Sequence, residues 1–260
     1  MLRGMWTAAS GMEAQQLSID TISNNLANVN TTGFKRSLIN FQDLLYESLK
    51  APGADGSEAG EVPSGIQVGH GVRPVSVAKV FSQGDFATTN RQLDVAVEGQ
   101  GFFKITLPDG TEAYTRDGSF KSNSEGKIVT NDGYEVDGWD TLDEGWTEVA
   151  IASDGSFSVM VNGEMVSKSP VMIHRFINPA GLRAIGRNLY VETEASGSAE
   201  EGTPGQDGMG TLAQRMLEMS NVKIVEEMVN MIMAQRAYEI NSKAIQTGDE
   251  MLQIANNLRR

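Results

Sequence analysis

The sequence contains no cysteine, so it has no disulfide bond, no thiolate metal ligand and no cysteine nucleophile. Histidine is almost as scarce, because His70 and His174 are the two in the chain, and two isolated histidines seldom build a metal site. The Gly-x-Ser-x-Gly elbow, the phosphate-binding loop and the His-Glu-x-x-His motif are missing. We therefore expect no catalytic residue, no metal ion and no cofactor, and a protein that is not an enzyme.

The sequence also has fewer basic than acidic residues and no long apolar run. The formal net charge is −13, which argues against a nucleic-acid partner because phosphate binding needs clustered lysine and arginine. No stretch of about 18 apolar residues occurs, so no membrane-spanning segment is expected. The first ten residues carry one positive charge and no continuous apolar core, and we therefore expect no cleavable signal peptide.

Near the N-terminus, apolar residues recur every three or four positions. This spacing places them on one face of a helix. The pattern predicts an amphipathic helix within residues 1–33, ending near Asn30 and Gly33, whose types tolerate left-handed backbone angles. The apolar positions are Leu2, Met5, Ala9, Met12, Ile19, Ile22, Leu26 and Val29.

The C-terminal segment, residues 211–260, has the same kind of pattern and no proline after Pro204. As a helix it would be on the order of 70 Å long, against roughly 40 Å for the N-terminal helix, at 1.5 Å per residue. Two helices of such different lengths cannot cover each other completely. The C-terminal stripe comprises Val222, Val225, Val229, Met233, Ala237, Ile240, Ala244, Gly248, Met251, Ala255 and Leu258.

Between the helices, alternation of apolar and polar residues replaces the helical period. It occurs in residues 93–97, 103–107 and 157–161, and Asp-Gly or Asn-Gly pairs typical of tight hairpins lie between such segments. We predict a compact antiparallel all-β domain over residues 71–195, and hence an α+β fold. Polar, glycine-rich stretches predict a connector over residues 34–70 and a linker over 196–210.

An apolar stripe on a helix is usually the inward face of its own domain. Here polar connectors separate both helices from the β domain, and the longer stripe exceeds its partner. We therefore expect a coiled-coil-like helical layer whose remaining apolar residues are covered by neighbouring copies. Asn24, Asn25 and Asn28 either fix the register of these contacts or are exposed polar residues. The candidate self-assembly residues are Met5, Met12, Ile19, Leu26, Asn24, Asn25, Asn28, Val222, Val225, Val229, Ala237, Ile240, Met251 and Leu258.

Five segments give the chain a resemblance to a known family. Residues 23–35 (SNNLANVNTTGFK) and 218–243 (EMSNVKIVEEMVNMIMAQRAYEINSK) resemble the paired terminal signatures of bacterial flagellar rod and hook proteins. Residues 65–74 (GIQVGHGVRP), 99–103 (GQGFF) and 113–120 (AYTRDGSF) resemble the distal-rod members of that family. The resemblance covers nearly the whole chain and is weakest over residues 137–169.

The resemblance implies a structural subunit of the flagellar distal rod, which self-assembles into a rigid helical tube and transmits motor torque to the hook across the periplasm. It implies terminal helices around the export channel, and contacts with proximal rod and hook subunits and with periplasmic and outer-membrane ring proteins. Export would follow the flagellar type III apparatus. Two alternatives stay open: a hook or proximal rod subunit of the same family, and a cell-wall-binding or hydrolase β domain with helical ends.

The segment between Tyr46 and Gln67, which includes Pro52 and Pro63, is where distal rod proteins resemble each other and differ from the flexible hook. We interpret this segment as a stiffening element that becomes ordered against adjacent subunits. The alternative interpretation is a mobile surface loop, as glycine- and proline-rich loops often are.

Overall fold

The computed structural model of the chain describes residues 2–50, 55–56, 60–61 and 65–257. These residues divide into two compact units, each built from more than one stretch of chain. The first unit comprises the described residues of Met1–Leu26, Ser37–Ala78 and Ile224–Arg260. The second comprises Ala27–Arg36 and Lys79–Lys223.

The first unit contains two helices and a long β-hairpin. The helices are α1 (Leu2–Ala27) and α2 (Ile224–Asn257). The hairpin is built from β1 (Ser37–Asp43), β2 (Tyr46–Lys50), β3 (Asp55–Gly56), β4 (Gly60–Glu61), β5 (Ile66–Gly69) and β6 (Val72–Lys79). Its pairs are nested, since β1 pairs with β6, β2 with β5 and β3 with β4. We call this hairpin, residues 37–79, the arm.

The second unit is the β domain. Its strands are β7 (Phe86–Thr88), β8 (Val95–Glu98), β9 (Phe103–Thr106), β10 (Glu112–Thr115), β11 (Lys121–Ser122), β12 (Ile128–Val129), β13 (Glu135–Val136), β14 (Trp146–Ile151), β15 (Phe157–Val161), β16 (Glu164–Ser167), β17 (Ile173–Arg175), β18 (Arg183–Gly186), β19 (Leu189–Val191), β20 (Glu200–Gly202), β21 (Thr211–Gln214) and β22 (Met216–Glu218). A short 3-10 helix spans Pro179–Gly181.

A seven-stranded sheet in the order β11-β12-β13-β9-β10-β19-β18 is the largest sheet of the domain. The three-stranded sheet β14-β15-β16 and the pairs β17-β20, β21-β8 and β22-β7 complete it, and the pairings are antiparallel. Alternating burial along β15 places Phe157 and Val159 in the core. The predicted α+β architecture, with terminal helices and a central antiparallel β domain, is confirmed.

Aromatic residues hold the core of the β domain together. Phe120 packs edge-on against Phe103 and Trp139, with ring centroids 5.0 and 5.6 Å apart, and Trp139 in turn contacts Phe157 at 5.5 Å. Edge-to-face pairs of this kind add about 0.5–1.5 kcal/mol to the free energy gained from burial. The core therefore joins the seven-stranded and three-stranded sheets into one packed domain.

The predicted start of the C-terminal helix was wrong. Residues 211–218, expected to be helical, form β21 and β22, and α2 begins only at Ile224. Edge pairing with β8 and β7 overrides the helical spacing of Leu212 and Leu217, both of which are buried in the strands. Arg215 separates the two strands with a φ of 60°, a left-handed conformation that a continuous helix excludes.

Other predicted boundaries also differ from the structure. The connector predicted over 34–70 contains β1 to β5 and is therefore largely paired in the arm, and the linker predicted over 196–210 contains β20. Alternation is weak in these segments, because the arm exposes both of its faces and β20 is only three residues long. The N-terminal helix ends at Ala27, six residues before Gly33, and residues 28–33 form turns.

Candidate functional site

The two helices pack against each other in opposite directions. Near one end of the pair, the amide Nδ2 of Asn25 donates a hydrogen bond to Glu227 Oε2 at 3.4 Å. Near the middle, Gly11 faces Asn241 so closely that a Cβ on Gly11 would lie 2.9 Å from Asn241 Nδ2. Residue numbers rise along α1 as they fall along α2, so the pair is antiparallel.

A third contact shows where the shorter helix stops. Gly248 lies against Met5, whose Cγ would be 3.0 Å from a Cβ added to the glycine. Since α1 begins only three residues before Met5, the end of α2 beyond Met251 extends past its partner. The lengths agree, because 26 and 34 residues span about 39 and 51 Å at 1.5 Å per residue.

Small and polar residues occupy most of the fully buried positions of the helix pair, and larger aliphatic residues such as Met231, Ile245 and Leu252 are partly buried beside them. Ala8 and Ala14 of α1 and Ala234 and Gly248 of α2 are buried. Small residues allow two helix backbones to approach closely, but they bury little apolar area. A series of α2 positions that are at least half-buried follows steps of three or four residues, as in a coiled coil: Glu227, Met231, Ala234, Ala237, Asn241, Ile245, Gly248 and Leu252.

Large aliphatic side chains lie on the outer face of α2, next to its first turns. Six of them, which we call the apolar patch, are each at least 47% exposed. Monomeric proteins rarely leave such a contiguous group in water unless it contacts a partner. The patch consists of Ile224, Val225, Met228, Val229, Ile232 and Met233.

A shallow groove of about 350 Å³ lies at the opposite end of the helix pair. It is lined by Leu2, Met5, Trp6 and Ala9 of α1 and by Ile245 of α2, and we call it the N-terminal groove. All five side chains are apolar, and the indole of Trp6 stands 75% exposed at its edge. The first unit therefore carries an apolar surface at each end of its helix pair.

Asn25 also anchors the arm to the helices. Its side chain exchanges two hydrogen bonds with the backbone of Ser37, donating from Nδ2 to the carbonyl at 2.9 Å and accepting the N–H on Oδ1 at 2.8 Å. Further along, the N–H of Val72 donates to Ser10 Oγ at 3.4 Å, and Arg3 forms an ion pair with Glu47. The arm thus lies against α1 at several points.

The arm exposes many apolar side chains. A two-stranded ribbon is marginally stable in water by itself, so these residues favour contact with another surface. Of the residues predicted to stiffen the polymer, Tyr46 pairs with Gly69 and Gln67 with Ser48, whereas Pro52 and Pro63 lie outside the described residues. The exposed apolar residues of the arm are Leu38, Phe41, Leu45, Tyr46, Leu49, Ile66, Val75 and Val77.

In the β domain, the two terminal signature segments meet at a buried ion pair. Lys35 Nζ donates to Glu218 Oε1 at 2.6 Å, and both side chains are fully buried. The N–H of Gly84 donates to the same carboxylate at 2.9 Å, and Arg116 Nη1 lies 3.8 Å from its other oxygen. Burial lowers the pKa of Lys35 and the pKa of Arg116, while Glu218 opposes both shifts.

Chemically reactive groups are dispersed over the described residues, which contain no cluster of three or more histidine or acidic side chains able to hold a metal ion. His174 is buried beneath the β domain surface, where its backbone bridges to Phe102 and its ring lies 5.6 Å from that of Tyr114. Over the same described stretches, neither helix has the length and hydropathy of a membrane span.

The structure distributes the predicted self-assembly residues over several environments. Asn25 lies in the seam, and Val222 is buried in the β domain. Met5, Met12, Ile19, Leu26, Asn28 and Ala237 are half-buried, whereas Asn24, Val225, Val229, Ile240 and Met251 are exposed. Leu258 lies outside the described residues. Their role in assembly stays a prediction.

Sequence reasoning missed the residues whose importance depends on distant neighbours. Trp6 interrupts no pattern, yet it forms the edge of the N-terminal groove. Gly11 is a small residue inside a predicted helix, and nothing in the sequence indicates its close contact with Asn241. Lys35 and Glu218 lie inside the two signature segments, but their pairing across 183 residues is visible only in the structure.

Three family models match the chain. The flagella basal body rod protein model matches residues 5–35, the flagellar hook protein FlgE/F/G D1 domain model matches residues 96–159, and the flagellar basal body rod FlgEFG protein C-terminal model matches residues 213–258. Both ends and part of the β domain are therefore similar to flagellar axial proteins.

Curated relatives match over the full length. The flagellar basal-body rod protein FlgG of Borreliella burgdorferi is 53% identical over 100% of both chains. The proteins of the same name from Caulobacter vibrioides and Bacillus subtilis are 46% and 40% identical, over 99% and 100% of this chain and 100% of each relative.

Proposed function

This chain belongs to the family of flagellar basal-body rod proteins, and from this premise we propose that it is a structural subunit of the flagellar distal rod. Copies self-assemble through the terminal helices into a rigid helical tube that transmits torque from the motor to the hook. The relatives named as basal-body rod proteins support this function. The single structural observation that carries it is the apolar patch, which α1 leaves uncovered.

The energetic argument follows from which residues the chain places inside and outside its helix pair. The fully buried positions of α2 are Glu227, Ala234 and Gly248, whereas the six aliphatic side chains of the apolar patch, which would give more hydrophobic free energy on burial, remain exposed. Burying one such side chain is worth roughly 1.5–3 kcal/mol. Contact between copies supplies that free energy, and it makes assembly the step that stabilises the helices.

The test is self-association of the purified full-length chain, followed by sedimentation and electron microscopy. Val229→Lys places a charge in the apolar patch, and Gln246→Lys places the same charge at an exposed polar position of α2. We expect the first variant to raise the critical concentration at least about tenfold, because burying an unpaired charge costs several kcal/mol, and the second to leave it nearly unchanged. Equal effects of the two variants would refute assembly through this patch.

The arm is proposed to limit bending of the tube. Its exposed apolar side chains and its hydrogen bonds to Asn25 support a role as a strap that reaches neighbouring copies from a fixed anchor on α1. Deletion of residues 51–63 removes the distal part of the arm and keeps β1 paired with β6. We expect curved polymers in electron micrographs, and straight ones would contradict the stiffening role.

Several finer features rest on the family alone. We propose that the subunit lies in the periplasmic part of the basal body, contacts proximal rod and hook subunits and the periplasmic and outer-membrane ring proteins, and leaves the cell through the flagellar export apparatus. Pull-down of the assembled basal body with a tagged chain, followed by mass spectrometry, tests these partners. Absence of the hook subunit from the captured material would argue against the distal position.

A further inference from the structure

We propose that the apolar patch of one copy seats in the N-terminal groove of the next copy, so that these two surfaces of the helix pair are the two halves of one repeated contact. This inference rests on the proposed self-assembly and specifies which surfaces meet. It follows from the shape, chemistry and position of both surfaces.

The two surfaces are complementary in shape. The patch is convex, because Met228, Val229 and Ile232 project from the outer face of a single helix. The groove is concave, because Leu2, Trp6 and Ile245 line it from both helices. A convex row of aliphatic side chains packs best into a groove between two helices.

The two surfaces are also matched in chemistry. The patch consists of isoleucine, valine and methionine, and the groove lining has no charged residue. Glu227, next to the patch in sequence, faces the seam and contacts Asn25 there. The side chains that form the two surfaces are therefore apolar, and the contact buries them at least cost if it leaves Glu226 and Arg3, the exposed charged residues that adjoin them in sequence, in water.

Their positions decide which kind of partner fits. The patch and the groove lie at opposite ends of the helix pair, so each copy has one surface of each kind. A foreign partner would cover one of them, whereas a second copy uses both in equal number. A contact between two different surfaces is heterologous, and unless a ring closes it propagates as an open helical polymer.

The geometry also fixes an axial step. Val229 and Ile245 are 16 residues apart on α2, which corresponds to about 24 Å along the helix at 1.5 Å per residue. A neighbour in the same orientation must therefore be displaced along the helix axis by about this distance to bring its patch beside the groove. Lateral neighbours at equal height would place the patch beside another patch instead.

Site-specific disulfide formation tests the contact, since the chain contains no cysteine of its own. Ala9→Cys places a thiol in the groove and Val229→Cys places one in the patch, both with little change in side-chain size. The matched control is Gln16→Cys with Gln246→Cys, at exposed polar positions of the same helices. Each pair is introduced into one full-length chain, which is concentrated, oxidised with a copper–phenanthroline catalyst and separated on non-reducing gels.

We expect a ladder of dimers, trimers and longer species for the pair of groove and patch, at least about tenfold more abundant than for the control. A product that stops at dimers would indicate a two-fold contact and would overturn the proposal. So would polymers visible by electron microscopy in which the two thiols fail to cross-link, although self-assembly itself would stand. Absence of any polymer for the unmodified chain would remove the proposed function and this contact together.

A second variant tests the groove at an exposed position, where a substitution is not expected to disturb folding. Trp6 is largely exposed in the single subunit, so Trp6→Ala leaves the β domain unaffected. We expect this change to raise the critical concentration on the order of tenfold or more, because the large exposed indole would be buried by the patch and tryptophan is a frequent hot spot of interfaces. An unchanged critical concentration would refute a role of the groove in assembly.

Discussion

The buried ion pair between Lys35 and Glu218 gives a prediction in which the order of two effects matters more than their size. Both side chains are fully buried, and Arg116 lies on the other side of the same carboxylate, 3.8 Å away. One acidic group therefore faces two cations in the interior of the β domain. Removing Glu218 leaves two buried positive charges, whereas removing Lys35 leaves a pair of opposite charges.

Removing one partner of a buried pair typically costs about 3–5 kcal/mol, because the remaining charge is uncompensated. We expect Lys35→Met to lower the free energy of unfolding by about 3 kcal/mol, the lower end of that range, since Arg116 and the N–H of Gly84 still stabilise the carboxylate. Glu218→Leu should lower the free energy of unfolding by about 5 kcal/mol or prevent folding, because Lys35 and Arg116 then repel each other in a medium of low dielectric constant.

Urea denaturation monitored by tryptophan fluorescence measures both free energies of unfolding. Trp139 and Trp146 pack against the core of the β domain, and a Trp6→Phe background removes the signal from α1. The double variant Lys35→Met with Glu218→Leu completes the cycle and gives the coupling energy between the two side chains. If Glu218→Leu costs no more than Lys35→Met, the carboxylate does not serve both cations and the reasoning is wrong.

Three further predictions concern backbone and protonation. Gly33→Ala should cost roughly 1–3 kcal/mol more than Gly110→Ala in the same urea assay, because both have positive φ but a Cβ at Gly33 would lie 2.6 Å from a backbone nitrogen. Gly4→Ala should raise the melting temperature of the helices measured by circular dichroism, because alanine favours a helix and a Cβ at Gly4 meets nothing within 4 Å. Gly11→Ala should not raise it, because a Cβ there would lie against Asn241.

The third prediction concerns pH. Burial lowers the pKa of His174 below its usual 6.5, so the unfolded chain binds more protons than the folded one as pH drops below 6.5. The free energy of unfolding should therefore fall with pH in this range, by up to about 1.4 kcal/mol per pH unit. His174→Gln should flatten that slope.

The sequence predicted the architecture because local patterns and the final packing agree in most of the chain. Alternation over residues 157–161 became β15, and the apolar spacing near the N-terminus became α1. Agreement failed at residues 211–218, where two short segments pair with β8 and β7, more than a hundred residues away. A helical spacing read from one sequence has no information about such partners.

The contacts of the helices were harder to predict, for a different reason. Part of the α2 stripe was expected to pack on α1 and the rest to be covered by neighbouring copies; Val225, Val229 and Ile240 are exposed in the single subunit, and their role in assembly stays a prediction. Hydrophobicity identifies which side chains need to leave water, but it does not identify which surface covers them. Gly248 and Asn25 were among the predicted positions, whereas Ala8, Ala14 and Ala234 were not, because alanine contributes little to an apolar period.

Small residues at the most buried positions of the helix pair, and large ones on its outer face, affect how stable the helices are in a single subunit. The most buried positions of the seam are small or polar, and contacts such as Asn25 with Glu227 determine its register while adding little hydrophobic free energy. Helices of 26 and 34 residues held mainly by such a seam are only marginally stable in water. The aliphatic patch adds further free energy when a neighbour covers it, so we expect ordering of the helices to be coupled to assembly. Amide hydrogen exchange of the isolated subunit checks this expectation, since helices that are as strongly protected as the β domain before assembly would contradict it.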